Sequence, residues 1–217
     1  MSDRIEINSA FIEQVVALIE SNNSQELSGI IADLHFADIA EIIEHLSDKD
    51  THILFDLIEE EKSATVLVEL EDDTREKLLS DLTPKEIAGE VIDNLESDDA
   101  ADLIGKLSED KKEEVLSHIE DLERASDISD LLSYPEDTAG GLMAKELIKV
   151  NENWNTLQCL REMRKQAENV KQVHTIYVVD DDKKLLGSLS LKQLLLAEKS
   201  SAIKSIVNTD IVSVNVN

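Results

Sequence analysis

A leucine that returns about every twelve residues is the feature that most limits the fold of this chain. Between these leucines lie a polar residue able to cap a helix and a short amphipathic segment. Helices of about ten residues are marginally stable alone, so they must pack on their neighbours. The spacing therefore predicts a right-handed α-superhelix of the solenoid kind over residues 1–132. The leucines are Leu34, Leu46, Leu70, Leu82, Leu95 and Leu107.

Recurring residues and capping signals support this helical repeat. An acidic residue, an apolar residue and an alanine return in register as Asp38–Ala40 and Glu86–Ala88. Thr83 is followed by a proline and, three positions later, by a glutamate, a pattern that predicts a helix start with a capping box. Ser47 and Ser97 each precede an acidic residue and are predicted to cap two further helices.

The segment Tyr134–Met143 marks a boundary, because Pro135 and the pair Gly140 and Gly141 interrupt the helical pattern. Beyond it the pattern is mixed and predicts a second domain over residues 133–217. The order β-α-β-β-α predicts a small sheet with helices packed on it, so the fold class is mainly α with a small α+β unit. The predicted elements are strand 148–150, helix 156–167, strand 175–179, turn 180–182, strand 185–190 and helix 191–197.

The strong negative charge of the chain limits the classes of partner that it can bind. With 48 acidic and 21 basic residues the net charge is −27, which repels nucleic acid and anionic lipid and concentrates divalent cations. We therefore expect no nucleic-acid partner. Cys159 is the single cysteine and is expected to be a small apolar residue on a helix face.

Signals for catalysis, transition metals and membrane insertion are missing from the sequence. No phosphate-binding loop or nucleophile elbow occurs, so we expect no enzyme. The five histidines, which include His174, show no zinc-site spacing. Met1–Glu6 lacks the basic and apolar parts of a signal peptide, and no apolar run approaches the ~20 residues that span a bilayer. We expect that this chain forms no pore of its own.

Three segments carry a resemblance to a known family. Ile176–Asp180 followed by Leu186–Leu191 resembles the hairpin and second helix of a CBS unit. Asp137–Met143 is similar to the linker that precedes the CBS pair in MgtE magnesium transporters. Leu34–Glu41 resembles a recurring segment of the N-terminal domain of that family. The order of superhelix, linker and CBS unit makes the likeness more specific than a CBS pattern alone.

The resemblance implies a role in magnesium transport. Members of the family are homodimers with a transmembrane pore after the CBS pair, and their cytoplasmic part senses free Mg²⁺ and closes the pore. A second CBS unit is expected to begin at Asp210–Val214, so we expect this chain to be part of a longer protein. The expected location is the cytoplasmic face of the bacterial plasma membrane, and the expected partners are Mg²⁺, a homodimer mate and the transmembrane domain.

Asp98 and Asp102 are the candidate Mg²⁺ ligands. They lie at i and i+4 of a predicted helix, which puts both carboxylates on one face. Mg²⁺ keeps several waters and needs only one or two carboxylates. The resemblance implies that acids at these positions and a backbone carbonyl of Gly141 contribute to magnesium binding. It also implies that a glutamate supplied by an earlier helix in the family is replaced here by Thr65.

Other interpretations remain open at this point. Asp98 could be an ordinary helix-start acid, and Asp180–Asp182 could bind a cation or be a solvated turn. A CBS unit could bind an adenosine nucleotide, although Gln193 stands where many such units have an aspartate for the ribose. The chief alternative functions are a protein-interaction scaffold, for which the sequence beyond Asn217 would be decisive, and an adenosine-ligand sensor.

Overall fold

A computed structural model of the chain describes residues 7–167, 170, 173 and 175–217. The signal-peptide interpretation of Met1–Glu6 and the zinc argument at His174 fall outside the described residues. The chain divides into two compact units, Met1–Leu132 and Ser133–Asn217.

The first unit is built from short helices that bury one apolar face each. Ile39 and Ile43 of α3, Leu67 of α5 and Ile104 of α8 have at most 1% of their surface exposed. Contacts join α3 to α5, α7 to α9 and α8 to α10, so each of these helices packs on the next but one. The helices are α1 Ser9–Glu20, α2 Ser24–Asp33, α3 Phe36–Ile43, α4 Asp48–Phe55, α5 Glu60–Glu69, α6 Asp72–Ser80, α7 Pro84–Glu86, α8 Ser97–Gly105, α9 Glu109–His118 and α10 Leu122–Leu131.

Two of the predicted helix starts are confirmed and one is wrong. Thr83 and Glu86 form the capping box, with Thr83 N donating to Glu86 Oε2 at 2.8 Å. Ser47 caps α4 by accepting from Asp50 N at 3.3 Å. Ser97 is not a cap. The N-cap of α8 is Glu96, and Ser97 is the first residue of the helix and is buried.

A repeat of 49 residues underlies the first unit, with one extra residue in its second copy. The starts of α4 and α8 and the starts of α5 and α9 are each 49 positions apart, whereas the N-caps His35 and Thr83 are 48 apart. The extra residue lies in the π-helix Ile87–Val91, which continues α7. When Gly89 is set aside, the segment from Ile87 to Leu95 matches Ile39–Leu46 residue for residue in polarity. A one-residue insertion is a common origin of a π-helix.

The second unit contains a three-stranded sheet with the order β1-β2-β3. β1 pairs with β2 in parallel, β2 pairs with β3 antiparallel, and Ser188 of β3 forms a further bridge to Asn208. Parallel β1 and β2 require a crossover, and α11 supplies it. The elements are β1 Ile148–Asn151, α11 Thr156–Gln166, β2 Ile176–Val179, β3 Leu185–Leu189 and α12 Leu191–Leu196. The fully buried core side chains include Ile148, Val150, Cys159, Ile176, Val178, Leu189, Leu194 and Ile203.

The predicted fold class, a mainly helical chain with a small α+β unit, is confirmed. Within the part of the chain that the structure describes, no helix is both long and apolar enough to cross a membrane.

Candidate metal-binding site

The candidate ligands Asp98 and Asp102 both lie on α8, one turn apart. Asp98 occupies the second position of the helix and is half-buried, whereas Asp102 is exposed. The opposite face of α8 is fixed in the core by four buried apolar residues. These residues are Ala100, Ala101, Leu103 and Ile104. The helix therefore presents Asp98 and Asp102 from a rigid support, as a precise cation site requires.

One carboxylate oxygen of Asp98 is buried without a hydrogen-bond donor. Asp98 Oδ1 is buried and forms no hydrogen bond with any described residue. A buried carboxylate oxygen without a donor costs free energy, and native structures normally satisfy such an atom with a donor, water or a cation. The buried and unpartnered oxygen is thus a feature of Asp98 that the role of a simple helix-start acid does not explain.

The electrostatic environment near this helix is acidic. Asp93, just before α8, has a pKa above its usual range because burial disfavours its charged form. The neighbouring Arg124 opposes that shift, and the carboxylates of Glu120 and Asp121 add to it.

Asp98 and Asp102 offer carboxylate oxygens, the donor type that a hard cation such as Mg²⁺ prefers. Among residues 7–167, 170, 173 and 175–217, no group of three or more His, Cys, Asp or Glu side chains is arranged to hold a metal ion. A pair of carboxylates with water in the remaining positions is a normal donor set for Mg²⁺.

Gly141 lies in the second unit, in a tight turn that its neighbours fix. Its backbone N–H donates to Thr138 Oγ1 at 3.3 Å, and Thr138 Oγ1 donates to Pro135 O at 2.8 Å. A Cβ at this position would collide with Pro135 O and would lie 3.0 Å from Glu136 Cα. Glycine is therefore required by close approach of the backbone. The participation of Gly141 in a metal site with Asp98 and Asp102 stays a prediction.

Thr65 occupies α5 and is half-buried. Its hydroxyl lies 3.5 Å from Glu61 O, one turn earlier on the same helix. A hydroxyl used in this way does not replace the carboxylate that the resemblance places here.

The acidic turn after β2 is internally satisfied. Asp180 Oδ1 accepts from the backbone N–H of Asp182 at 3.0 Å and of Lys184 at 2.8 Å. Asp181 Oδ1 accepts from Asn151 Nδ2 at 2.9 Å. These carboxylates shape the turn, which favours the solvated-turn interpretation over a cation site.

The side chain of Gln193 takes part in capping α12, a role that was not predicted from the sequence. Its Oε1 accepts from Ser190 N at 3.0 Å and from Ser190 Oγ at 2.9 Å, which completes a capping box at the start of α12. The side-chain oxygen is therefore already in use at the position where an aspartate would face a ribose.

Comparison with known proteins identifies both units. Residues 34–137 match the family model of the MgtE intracellular N domain, and residues 139–200 match that of the CBS domain. The chain is similar to the crystal structure of the cytosolic domain of the Mg²⁺ channel MgtE in complex with ATP, with a TM-score of 0.85, 25% identity and coverage of 95% of this chain and 84% of that one. The soluble part of a magnesium transporter has the same fold, with a TM-score of 0.75, 24% identity and coverage of 94% and 80%.

The sequences of whole transporters match in part. The MgtE magnesium transporter of Thermus thermophilus is 37% identical over 87 residues, which cover 40% of this chain and 19% of that protein. The MgtE of Enterococcus faecalis is 30% identical over 89 residues, covering 41% and 20%. The matched stretch thus spans about a fifth of the length of these relatives.

The class of protein follows from these matches: an MgtE intracellular N domain joined to a CBS domain. The chain is homologous to the MgtE magnesium transporters and has the fold of the cytosolic domain of the Mg²⁺ channel MgtE. The resemblances of the first unit to the MgtE N-terminal domain and of the second unit to a CBS unit are confirmed. The relatives are transporters, and neither family model describes an enzyme.

Proposed function

We propose that this chain is the Mg²⁺-sensing regulatory region of a magnesium transporter and that it gates a pore formed by another part of the protein. The observation that carries the proposal is the buried, unpartnered Oδ1 of Asp98, one helical turn from the exposed carboxylate of Asp102. In a homologue of magnesium transporters, Mg²⁺ is the cation that such a pair is best placed to bind.

The physical basis of the proposed response is charge repulsion. Two like charges about 4 Å apart at an effective dielectric constant near 20 repel by roughly 4 kcal/mol. Acidic surfaces therefore resist close approach when Mg²⁺ is scarce. Bound Mg²⁺ would supply positive charge that offsets this repulsion. A compact arrangement that binds the cation better than an open one then becomes more populated as Mg²⁺ rises.

Asp98 and Asp102 would supply carboxylate oxygens, and the backbone carbonyl of Gly141 would supply a further oxygen. The proposal includes a homodimer mate and a transmembrane domain of the same full-length protein as partners. It places the chain at the cytoplasmic face of the bacterial plasma membrane. Because Asp98 and Asp102 form only part of a donor set, we expect weak, reversible binding that follows the free Mg²⁺ concentration.

Small-angle X-ray scattering of the 217-residue chain tests the proposal. The radius of gyration is measured in chelator and at rising Mg²⁺, with Na⁺ at equal ionic strength as the reference. The reference is necessary because a chain with a net charge of −27 also contracts by general screening. We expect a saturating decrease with Mg²⁺ that Na⁺ does not reproduce. Equal curves for the two cations would contradict the sensor function.

Two double variants assign that response to residues. Asp98→Asn with Asp102→Asn removes the charges of the two candidate ligands and leaves Asp99 of α8 in place, and we expect it to abolish the part of the contraction that is specific to Mg²⁺. Asp110→Asn with Glu114→Gln is the matched control, because these exposed acids are also one turn apart, on α9. The control should respond like the wild type. If both double variants lose the response equally, total charge rather than α8 is responsible.

Binding of an adenosine nucleotide to the second unit is a second candidate, because the similar cytosolic domain of MgtE was crystallised in complex with ATP. Gln193, whose Oε1 is held by Ser190, weakens this candidate. Isothermal titration calorimetry with ATP, in chelator and in Mg²⁺, tests it directly. Heat that saturates in chelator would support a nucleotide sensor, and no heat in either condition would exclude it.

A further inference from the structure

A basic side chain of α10 holds the backbone immediately before α8. Arg124, in the first turn of α10, is half-buried. Its Nη2 donates to Ile92 O at 2.6 Å and also to Leu95 O. Leu95 precedes Asp98 by three residues, so these bonds fix the turn from which the helix with the candidate ligands begins.

The elements around Arg124 keep its guanidinium in this place. α8 and α10 pack against each other. Asp121, the N-cap of α10, accepts from Arg124 N at 3.1 Å and so fixes the backbone that carries the arginine. Glu96, the N-cap of α8, makes no capping bond with its side chain. The start of α8 therefore depends on the carbonyl contacts of Arg124 more than a capped helix would.

A second arginine in the chain shows that this contact is specific to α8. Arg75 lies on α6, 49 positions before Arg124. Its Nε donates to Leu67 O at 2.8 Å, and its Nη2 donates to Val68 O at 3.1 Å and also to Leu70 O. Arg75 therefore bonds the end of α5 and the turn that joins α5 to its own helix, α6. Arg124 instead passes over α9 and reaches the turn before α8. Equivalent positions in the repeat thus have different targets.

We propose that Arg124 is a positioning residue for the Mg²⁺ response, because it fixes the turn before α8 and so sets the place of Asp98. This inference rests on the proposed function. Residues that orient a metal ligand without touching the metal commonly change affinity by on the order of tenfold or more when removed. Loss of Arg124 should therefore weaken the Mg²⁺ response without removing either carboxylate.

The test compares Arg124→Met with Arg75→Met in the full chain. Each variant removes one guanidinium that bonds backbone carbonyls, so both should lower the melting temperature. Only Arg124→Met should raise the Mg²⁺ midpoint of the scattering transition, by on the order of tenfold. Arg124→Lys keeps a hydrogen-bond donor and the positive charge, so it should recover part of the affinity for Mg²⁺. It replaces Arg124→Met in the comparison if that variant does not fold.

Amide hydrogen exchange in chelator provides a readout that needs no metal. The segment 96–102 should exchange faster in Arg124→Met than in the wild type and in Arg75→Met. A wild type that does not respond to Mg²⁺ would show failure of the proposed function. The role of Arg124 would be overturned, and the proposed function kept, by a different result. In that result the wild type responds to Mg²⁺, Arg124→Met and Arg75→Met have equal Mg²⁺ midpoints, and amide exchange in 96–102 is unchanged.

Discussion

Lys62 and Lys111, 49 positions apart, make the same kind of contact in the two copies of the repeat. Lys62 Nζ on α5 donates to Ile31 O at 2.9 Å, near the end of α2. Lys111 Nζ on α9 donates to Leu79 O at 2.7 Å, near the end of α6. Each ammonium thus contacts a carbonyl in the last turn of an earlier helix, where the negative end of the helix dipole favours positive charge. The first unit is therefore a repeat in its contacts as well as in its leucines.

Deletion of Gly89 tests the origin of the π-helix. Without this residue the segment that follows Ile87 has the length and polarity pattern of Ile39–Leu46, so we expect an ordinary α-helix in place of Ile87–Val91. The free energy of unfolding should stay within about 2 kcal/mol of the wild type, since loss of a helical glycine offsets part of the rearrangement. Urea unfolding followed by circular dichroism measures the change.

Deletion of Glu41, which follows Ala40 in α3 as Gly89 follows Ala88, is the control for that experiment. The first copy has no extra residue, so this deletion rotates Ile42 and Ile43 out of the core. It should cost more than about 3 kcal/mol, as the loss of a buried isoleucine contact does. Equal losses for the two deletions would mean that Gly89 is not an inserted residue.

Gly141→Ala should destabilise the turn at the start of the second unit. The new methyl group would collide with Pro135 O and press on Glu136 Cα, 3.0 Å away, and both are backbone atoms that cannot rotate aside. We expect a loss of about 1–3 kcal/mol in the free energy of unfolding, as overpacking causes. Gly29→Ala is the matched control, because nothing lies within 4 Å of its added Cβ in the middle of α2. That variant should gain about 0.5–1 kcal/mol from helix propensity.

The capping box at α7 should make a contribution to stability that depends on pH. The backbone N–H and the hydroxyl of Thr83 lower the pKa of Glu86 below its ordinary value of 4.5. A carboxylate whose pKa is depressed by folding stabilises the fold above its unfolded pKa, and this contribution is lost as the pH falls through the folded value. The difference in unfolding free energy between wild type and Glu86→Gln should therefore shrink between about pH 6 and about pH 3.

Thr83→Ala provides the control, because it removes the hydroxyl and leaves the carboxylate in place. We expect it to lose about 1 kcal/mol at neutral pH, as the removal of an N-cap side chain does. The many other carboxylates of the chain titrate in all three proteins, so their effects cancel in the differences. A difference between wild type and Glu86→Gln that does not change with pH would show that the carboxylate is not stabilised by Thr83.

Local signals in the sequence predict most of the fold. The leucine spacing, the box at Thr83 and the strand–turn–strand pattern around Asp180 each depend on residues close together in the chain. Ser97 was assigned wrongly because serine before an acid fits both an N-cap and a first helical position, and only packing decides between them. The contacts of Arg124 join residues about thirty positions apart, and no local pattern indicates them, although its 49-residue distance from Arg75 is visible in the sequence.

The candidate site was predicted only in part for the same reason. Spacing places Asp98 and Asp102 on one face of a helix, since one turn separates them. Burial of Asp98 Oδ1 without a donor depends on side chains from other helices, so it became visible only in the structure. That atom is what distinguishes a candidate ligand from an ordinary helix-start acid.

Cys159 should be chemically inert while the second unit is folded. It is fully buried in the core between α11 and the sheet, and burial raises the pKa of its thiol to about 11. The thiolate is the reactive form, so at about pH 8 both access and ionisation oppose reaction with a disulfide reagent. We expect labelling at least about 100-fold slower in native protein than in guanidinium, because reaction must await local or global opening. Rapid labelling with unchanged circular dichroism would show that the core around α11 opens readily, and the assignment of Cys159 to a purely structural role would then be wrong.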